Sequence, residues 1–286
     1  MLSLLAVAQK SVVGMAQLHR LDLMPAFKQT TTFGAVTSWD RSGGNDDGFI
    51  GKYSFVRKEG DNLVLADLTG PGCIYRIHTP TPTDDLLEFY FDGEAKPGIS
   101  TTFRKLYSGT VAPFVKPLVD YAGGGYYCYV PIPYKKSCKI VLHAKNFQFY
   151  DLNFATYSSD ALLTTFDQKA VTADTINLEK AKDVFNMFNP VELTQFNVPG
   201  GTTLEKKALE AAIKPGEVKT IFEAKKGGRI ACLKLGPAEA FAGKNRDVLL
   251  KVTWDGDKKP AILCPVGDFF GYGWGKPATG ARLVGT

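Results

Sequence analysis

The feature that most constrains the fold is a repeat within the chain. "KEGDNLVLADLTGPGCI" (Lys58 to Ile74) aligns without a gap with "KPGEVKTIFEAKKGGRI" (Lys214 to Ile230), an offset of 156 residues. "LLEFYFDGEAKP" (Leu86 to Pro97) aligns with "LLKVTWDGDKKP" (Leu249 to Pro260), an offset of 163. Both pieces read as strand, turn, strand. In the second, alternating apolar residues run into Asp-Gly, the dipeptide that accepts the positive φ angles of a two-residue hairpin. Two related β units are the simplest account. Short strands among Gly and Pro turns, without regular intervening helices, favour antiparallel sandwiches of the jelly-roll kind over a parallel α/β sheet.

The copies differ beyond the hairpin. The first continues through "GGGYYCYVPIPYKKSCKIVLHAKNFQFYDLNFATY" (Gly123 to Tyr157), about three more strands by their alternation. The same offset puts the counterpart of Gly124 just past Thr286. The expected fold class is therefore all-β with a helical connector: two jelly-roll β-sandwiches in tandem, the second incomplete in this chain. The expected division is a leader remnant over residues 1–20, a first sandwich over 21–160, a connector over 161–213 and a second sandwich over 214–286. In the connector, "DTINLEKAKDVFNMF" places Ile176, Ala181, Val184, Phe185 and Phe188 near one helical face, and "LEKKALEAAI" reads as a second short helix.

Composition removes several function classes. The 286 residues are 44% hydrophobic, enough for one large or two ordinary cores. The net charge is +5, but the lysines are scattered, so no basic stripe for nucleic acid forms. Beyond the N-terminus no apolar run is long enough to span a membrane. "LSLLAVA" resembles the apolar part of a signal peptide, and Ala6-Val7-Ala8 fits a small-x-small cleavage site, although no Lys or Arg precedes it. A secreted or periplasmic location is expected. The five cysteines form no CxxC pair and the three histidines are far apart, so no zinc site is expected. Neither G-x-S-x-G nor a GK[ST] phosphate loop occurs, and no cofactor is expected.

Two stretches carry chemistry. "SWDRSGGNDDGF" holds Trp39, Asp40, Arg41, Asn45, Asp46 and Asp47. Arg41 is expected to pair with Asp40 or Asp46. The loop reads either as a self-braced surface turn or as a site for a polyhydroxylated ligand, with Trp39 offering a flat apolar face. Calcium is a third reading, but the EF-hand spacing is absent. "CPVGDFFGYGWGKPATG" sets Asp268 among Phe269, Phe270, Tyr272 and Trp274. A carboxylate in apolar aromatic surroundings has a raised pKa, as a general acid needs. The alternative is that Asp268 caps a turn. "YYCYVPIPYKKSCKI" reads as an edge strand or β-corner. His78, at a strand end, reads as a structural residue.

These motifs together resemble a known family. "TSWDRSGGNDDGF" is similar to its S-S-x-D-R-T-G-G-N-x-D signature, and "LADLTGPGCIYRIHT" to its L-A-D-I-x-G-P-G-x-I strand pair. "FYFDGEAKP" and "VTWDGDKKP" resemble its Y-W-D-G-E-x-x-P hairpin, "YYCYVPIPYKKSCKI" its Y-C-Y-F-P-M-P-F strand, and "CPVGDFFGYGWG" its P-L-G-D-F-F-G loop. The family was catalogued as a domain of unknown function and overlaps glycoside hydrolase family 172. The resemblance implies a double jelly roll, assembled as a trimer or a dimer of trimers, with the active site between subunits. It implies retaining hydrolysis of α-D-fructofuranosides or α-D-arabinofuranosides by two glutamates. In the family's G-T-E-D-Y-F motif, Asp268 matches the Asp and Gly267 stands where the Glu would be. The second glutamate finds no match. On this resemblance Asp268 and Asp40 are the candidate catalytic residues. Trp39, Arg41, Asn45, Asp46, Asp47, Phe269 and Trp274 are the candidate sugar contacts. The alternative is a non-catalytic carbohydrate-binding or assembly protein.

Overall fold

A computed structural model describes residues 12–25, 30–187, 192–198, 200–243, 245–273, 275 and 276. The chain divides into two units. The first runs to Arg20 and then on to Asn186, and the second takes Leu21–Pro25 and the chain from Met187 onward.

The first unit is a β-sandwich. Its elements are β1 Thr32–Thr37, β2 Arg57–Glu59, β3 Asn62–Thr69, β4 Gly72–Thr79, β5 Leu86–Phe91, β6 Ile99–Thr102 and the helical turn α1 Phe103–Leu106. A short hairpin follows, β7 Thr110–Val111 with β8 Phe114–Val115, and then β9 Val119–Ala122, β10 Gly125–Cys128, β11 Ile132–Tyr134, β12 Ser137–Leu142 and β13 Asp151–Thr156. Helices α2 Gln168–Ala173 and α3 Thr175–Asn186 complete it. The larger sheet has the order β1-β13-β4-β10-β9, with β11 also on β4; the smaller has the order β2-β3-β12-β5-β6. Neighbours are antiparallel throughout. Period-two alternation sends one face of each sheet inward. Val119, Cys128, Ile77 and Leu152 come from the larger sheet, and Leu63, Phe89 and Ile140 from the smaller, into one core.

Residues 12–20 pack with the first unit: Met15 is buried in the core, and His19 Nε2 lies 2.7 Å from Asn177 Oδ1 on α3. Residues 1–11, which hold Ala6-Val7-Ala8, and Phe188 lie outside the described residues. The connector of 161–213 divides near Asn186. Its first part belongs to the first unit, because Phe166, Leu178 and Ala181 bury their apolar surface in that core. The helix expected over 204–213 does not form, and those residues are exposed. Ten residues without a packed face fall short of the length at which a helix holds itself in water.

The second unit contains α4 Thr194–Asn197, β14 Leu249–Val252, β15 Ile262–Pro265 and the helical turn α5 Val266–Phe269. Here the repeat holds to individual hydrogen bonds. β5 pairs with β6 from Leu86↔Thr102 to Phe89↔Ile99, and β14 with β15 from Leu249↔Pro265 to Val252↔Ile262, each shifted by 163. Asp92 and Gly93 have φ of 57° and 85°, and Asp255 and Gly256 have φ of 50° and 79°, the hairpin turn that Asp-Gly accepts at little cost. Phe103 N donates to Asp85 O at 3.0 Å, as Val266 N does to Val248 O. α1 and α5 occupy equivalent positions. The other match fails as structure: where Lys58–Ile74 forms strands, 214–230 has turns only. Alternation yields a strand only where a neighbouring strand takes its backbone groups. Among the described residues, 214–230 has no such neighbour.

All five cysteines are free. Cys128 and Cys138 lie on strands of different sheets. Burial pushes the Cys128 thiol up to about 12, so it packs as a small apolar residue. Among the described residues no helix is long and apolar enough to cross a membrane.

The outer face of the smaller sheet carries a polar network. Tyr90 Oη donates to Glu88 Oε2 at 2.7 Å, His143 Nε2 lies 2.7 Å from the same oxygen, and Ser100 Oγ lies 3.3 Å from Oε1. The Tyr90 hydroxyl, aided by His143 and opposed by burial, holds the Glu88 carboxyl below its ordinary 4.5. A depressed folded value means the stabilisation is full above the ordinary value and is lost as pH falls through the depressed one. Glu88→Gln is therefore expected to lower the melting temperature at pH 7, by an amount that shrinks as pH falls below the ordinary 4.5 and through the depressed value. A loss that does not change with pH would show that the charge is not what stabilises.

Candidate functional site

The Asp-rich loop leaves β1 at Thr37 and returns at β2. Its back is fastened to the segment before β13. Ser38 N donates to Tyr150 O at 3.1 Å, Gln148 Nε2 donates to Phe49 O at 3.1 Å, and Ser54 Oγ donates to Gln148 O. Phe49 meets Phe149 edge to face at 5.0 Å. Glycines allow this approach: Gly51 has φ of 75°, and a Cβ there would lie 2.5 Å from Phe147 O.

Inside the loop the acids serve as caps. Asp40 Oδ1 accepts from Ser42 N at 2.9 Å and Ser42 Oγ at 2.5 Å, and its Oδ2 accepts from Asp46 N at 3.3 Å. The Ser42 hydroxyl and amide hold the Asp40 carboxyl below its ordinary value. Asp47 Oδ1 accepts from Asp40 N at 2.8 Å, and Asp46 Oδ1 accepts from Ile50 N at 2.9 Å. Asp46 Oδ2 is buried with no partner among the described residues. The acids do not take Arg41, contrary to expectation. Arg41 instead donates through Nη1 to Tyr53 O at 3.0 Å and through Nη2 to Thr37 O at 3.2 Å. Its guanidinium lies 5.9 Å from the Trp39 ring and 5.5 Å from that of Tyr53. Trp39 stays 55% exposed, and Asn45, six residues further along the same loop, is exposed as well. The result is a rigid platform with an aromatic face and an adjacent cation. Among the described residues no three acids, histidines or cysteines gather as a metal site needs.

The second candidate stretch lies in the other unit. Asp268, on α5, has its Oδ2 at 2.5 Å from Arg246 Nη2. Its surroundings are thus ionic rather than the apolar aromatic setting expected. Phe269 stacks edge to face on Phe270 at 5.1 Å. Trp274 lies outside the described residues. Gly267 is buried, and a Cβ there would meet Phe241 O at 2.9 Å and the Tyr272 ring at 3.3 Å, so the backbone packs where a glutamate stem would start. The first copy ties α1 to the chain before β5 through Arg104 Nε and Asp84 Oδ1 at 3.1 Å. The second makes a like tie with the charges reversed, the acid now on the helical turn.

The structure brings Trp39, Asp40, Arg41, Asp46 and Asp47 together in one loop. It places Asp268 and Phe269 in the second unit. Tyr53 and Arg246 were missed by sequence reasoning. Tyr53 carries no spacing signal, and the partner of Arg246 lies 22 residues away.

The family described as GH172 first beta-sandwich domain matches residues 29–174, just over half of the chain. The family described as GH172 domain-like matches residues 203–286. No curated protein matches the chain.

Proposed function

Because the chain belongs to the GH172 family, we propose that it is an exported protein that binds a neutral furanoside on the Trp39–Arg41 platform. The sugar is an α-D-arabinofuranoside or α-D-fructofuranoside, hydrolysed with retention in a trimeric or hexameric assembly. The observation that carries the reading is the loop itself. Each of its three carboxylates caps a backbone amide of the loop, and an aromatic ring beside a guanidinium is left facing water. A flat apolar face beside fixed donors suits a sugar ring, which is apolar on one face and hydroxylated at its edge. The exposed Phe49 and Ile50 supply apolar surface for assembly.

A second reading has its own observation. Retaining hydrolysis uses two carboxyl groups about 5–5.5 Å apart. Asp40 is engaged by three loop donors and Asp268 by Arg246. That favours binding without turnover.

Calorimetric titration with arabinofuranosyl and fructofuranosyl oligosaccharides separates these outcomes when reducing-sugar release is followed alongside. Binding is expected, and Trp39→Ala should weaken it by at least about tenfold, roughly 1.4 kcal/mol. Binding with no sugar released favours the second reading. Binding that Trp39→Ala leaves intact removes the platform from both.

A further inference from the structure

We infer that the outer face of the larger sheet in the first unit is a further carbohydrate site, a track for the non-terminal residues of a neutral glycan chain, with His78 as its central contact. This rests on the reading of the Trp39–Arg41 platform as a sugar site.

The sheet register builds a polar row there. Thr37 lies opposite Asp151, Asp151 opposite His78, His78 opposite Tyr127, and Tyr127 opposite Asp120. Directly opposed residues share a face. The flanking positions Val36, Leu152, Ile77, Cys128 and Val119 point into the core, so this row points out. It begins at the residue whose carbonyl oxygen accepts from Arg41 and whose Oγ1 accepts from Trp39 N at 3.1 Å. The row and the platform are therefore contiguous.

One part of the row is held rigid and another is left open. Arg76 Nη1 donates to Asp151 and to Asn153 Oδ1 at 3.0 Å, and Asn153 Nδ2 donates to Asp151 Oδ1 at 3.2 Å. That closed triad neutralises its own charge, which suits an uncharged ligand. The His78 imidazole makes no hydrogen bond among the described residues, and its ring occupies the space above Gly125 that a side chain there would fill. The groups around it are Arg76 on its own strand, Asp151 on β13, Tyr127 on β10 and Asp120 on β9, the last paired with Lys116. Burial and then Arg76 push its pKa below the ordinary 6.5, against the pull of Asp151. Near neutral pH the ring is uncharged, with one nitrogen donating and one accepting, the pair a vicinal diol uses. Beyond Asn153 the face opens into a groove of about 480 Å³ floored by Ala35 and Tyr75 and rimmed by exposed Phe33. That volume lies within the range of ligand sites. The signal in the sequence was "YRIHT", in which Arg76 and His78 share a face at strand period.

The test is chain length. Wild-type protein, His78→Ala, His78→Gln and Trp39→Ala are each titrated with methyl α-D-arabinofuranoside and with a linear arabinofuranosyl tetrasaccharide. Wild type should bind the tetrasaccharide more tightly. His78→Ala should weaken tetrasaccharide binding by about tenfold, the scale of one or two lost hydrogen bonds, and leave the monosaccharide unchanged. His78→Gln, which keeps a donor and an acceptor, should retain most of the affinity. Trp39→Ala should weaken both ligands. If wild type binds and His78→Ala lowers neither affinity, or lowers both equally, the track is wrong and the platform stands. The same titrations are run with methyl α-D-fructofuranoside and a fructofuranosyl tetrasaccharide, and if wild type binds none of the four ligands, the platform fails and the track falls with it.

Discussion

Phe89→Ala is expected to destabilise the first unit by about 3–5 kcal/mol, the cost of removing a buried aromatic ring and leaving its cavity. Phe89 is 0% exposed, at the centre of β5, opposite Ile140 on β12 and Ile99 on β6. Strands lie on both sides, so the backbone has little freedom to close the gap. A domain has about 5–15 kcal/mol in total, and for one of this size the melting temperature should fall by roughly 6–20 °C. The control is Leu86→Ala, three positions away on the same strand and 39% exposed, where the loss should be much smaller. Thermal and urea melts measure both. A loss below about 1 kcal/mol at Phe89 would mean that this part of the core repacks freely.

Gly51→Ala should loosen the loop from its support and abolish most sugar binding. A side chain there has two costs. The positive φ of 75° disfavours a Cβ, and that Cβ would stand 2.5 Å from the Phe147 carbonyl oxygen, which belongs to backbone and does not rotate away. The strain alone is about 1–3 kcal/mol. Gly60→Ala separates the two terms. Gly60 has φ of 61° and nothing within 4 Å of its would-be Cβ, so it should show the conformational cost alone. The expected result is faster amide exchange over Phe147–Tyr150 and weakened binding in Gly51→Ala, with neither in Gly60→Ala. Matching behaviour of the two variants would show that close packing on Phe147 does not hold the loop.

The features legible in the sequence are those decided by a few adjacent residues. The Asp-Gly hairpins are the clearest case. Local sterics set the turn at Asp92-Gly93 and again at Asp255-Gly256, where both residues take positive φ. The Asp-rich loop was legible for the same reason, since Asp40, Ser42, Asp46 and Asp47 bond within a span of eight residues. The partner of Arg41 was not, because which acceptor it takes depends on where Tyr53 O and Thr37 O are carried.

Tertiary structure alone decided the rest. The pattern of 204–213 suits a helix and that of 214–230 suits strands. Neither element forms, because a pattern fixes only which face would be buried and a neighbour must be there to bury it. In α3 the same kind of pattern does become structure, since Leu178 and Ala181 meet a core. The row through His78 joins five strands that are dispersed along the chain. Alternation placed each of its residues on some face of some strand, and pairing register, a property of two strands at once, made them neighbours.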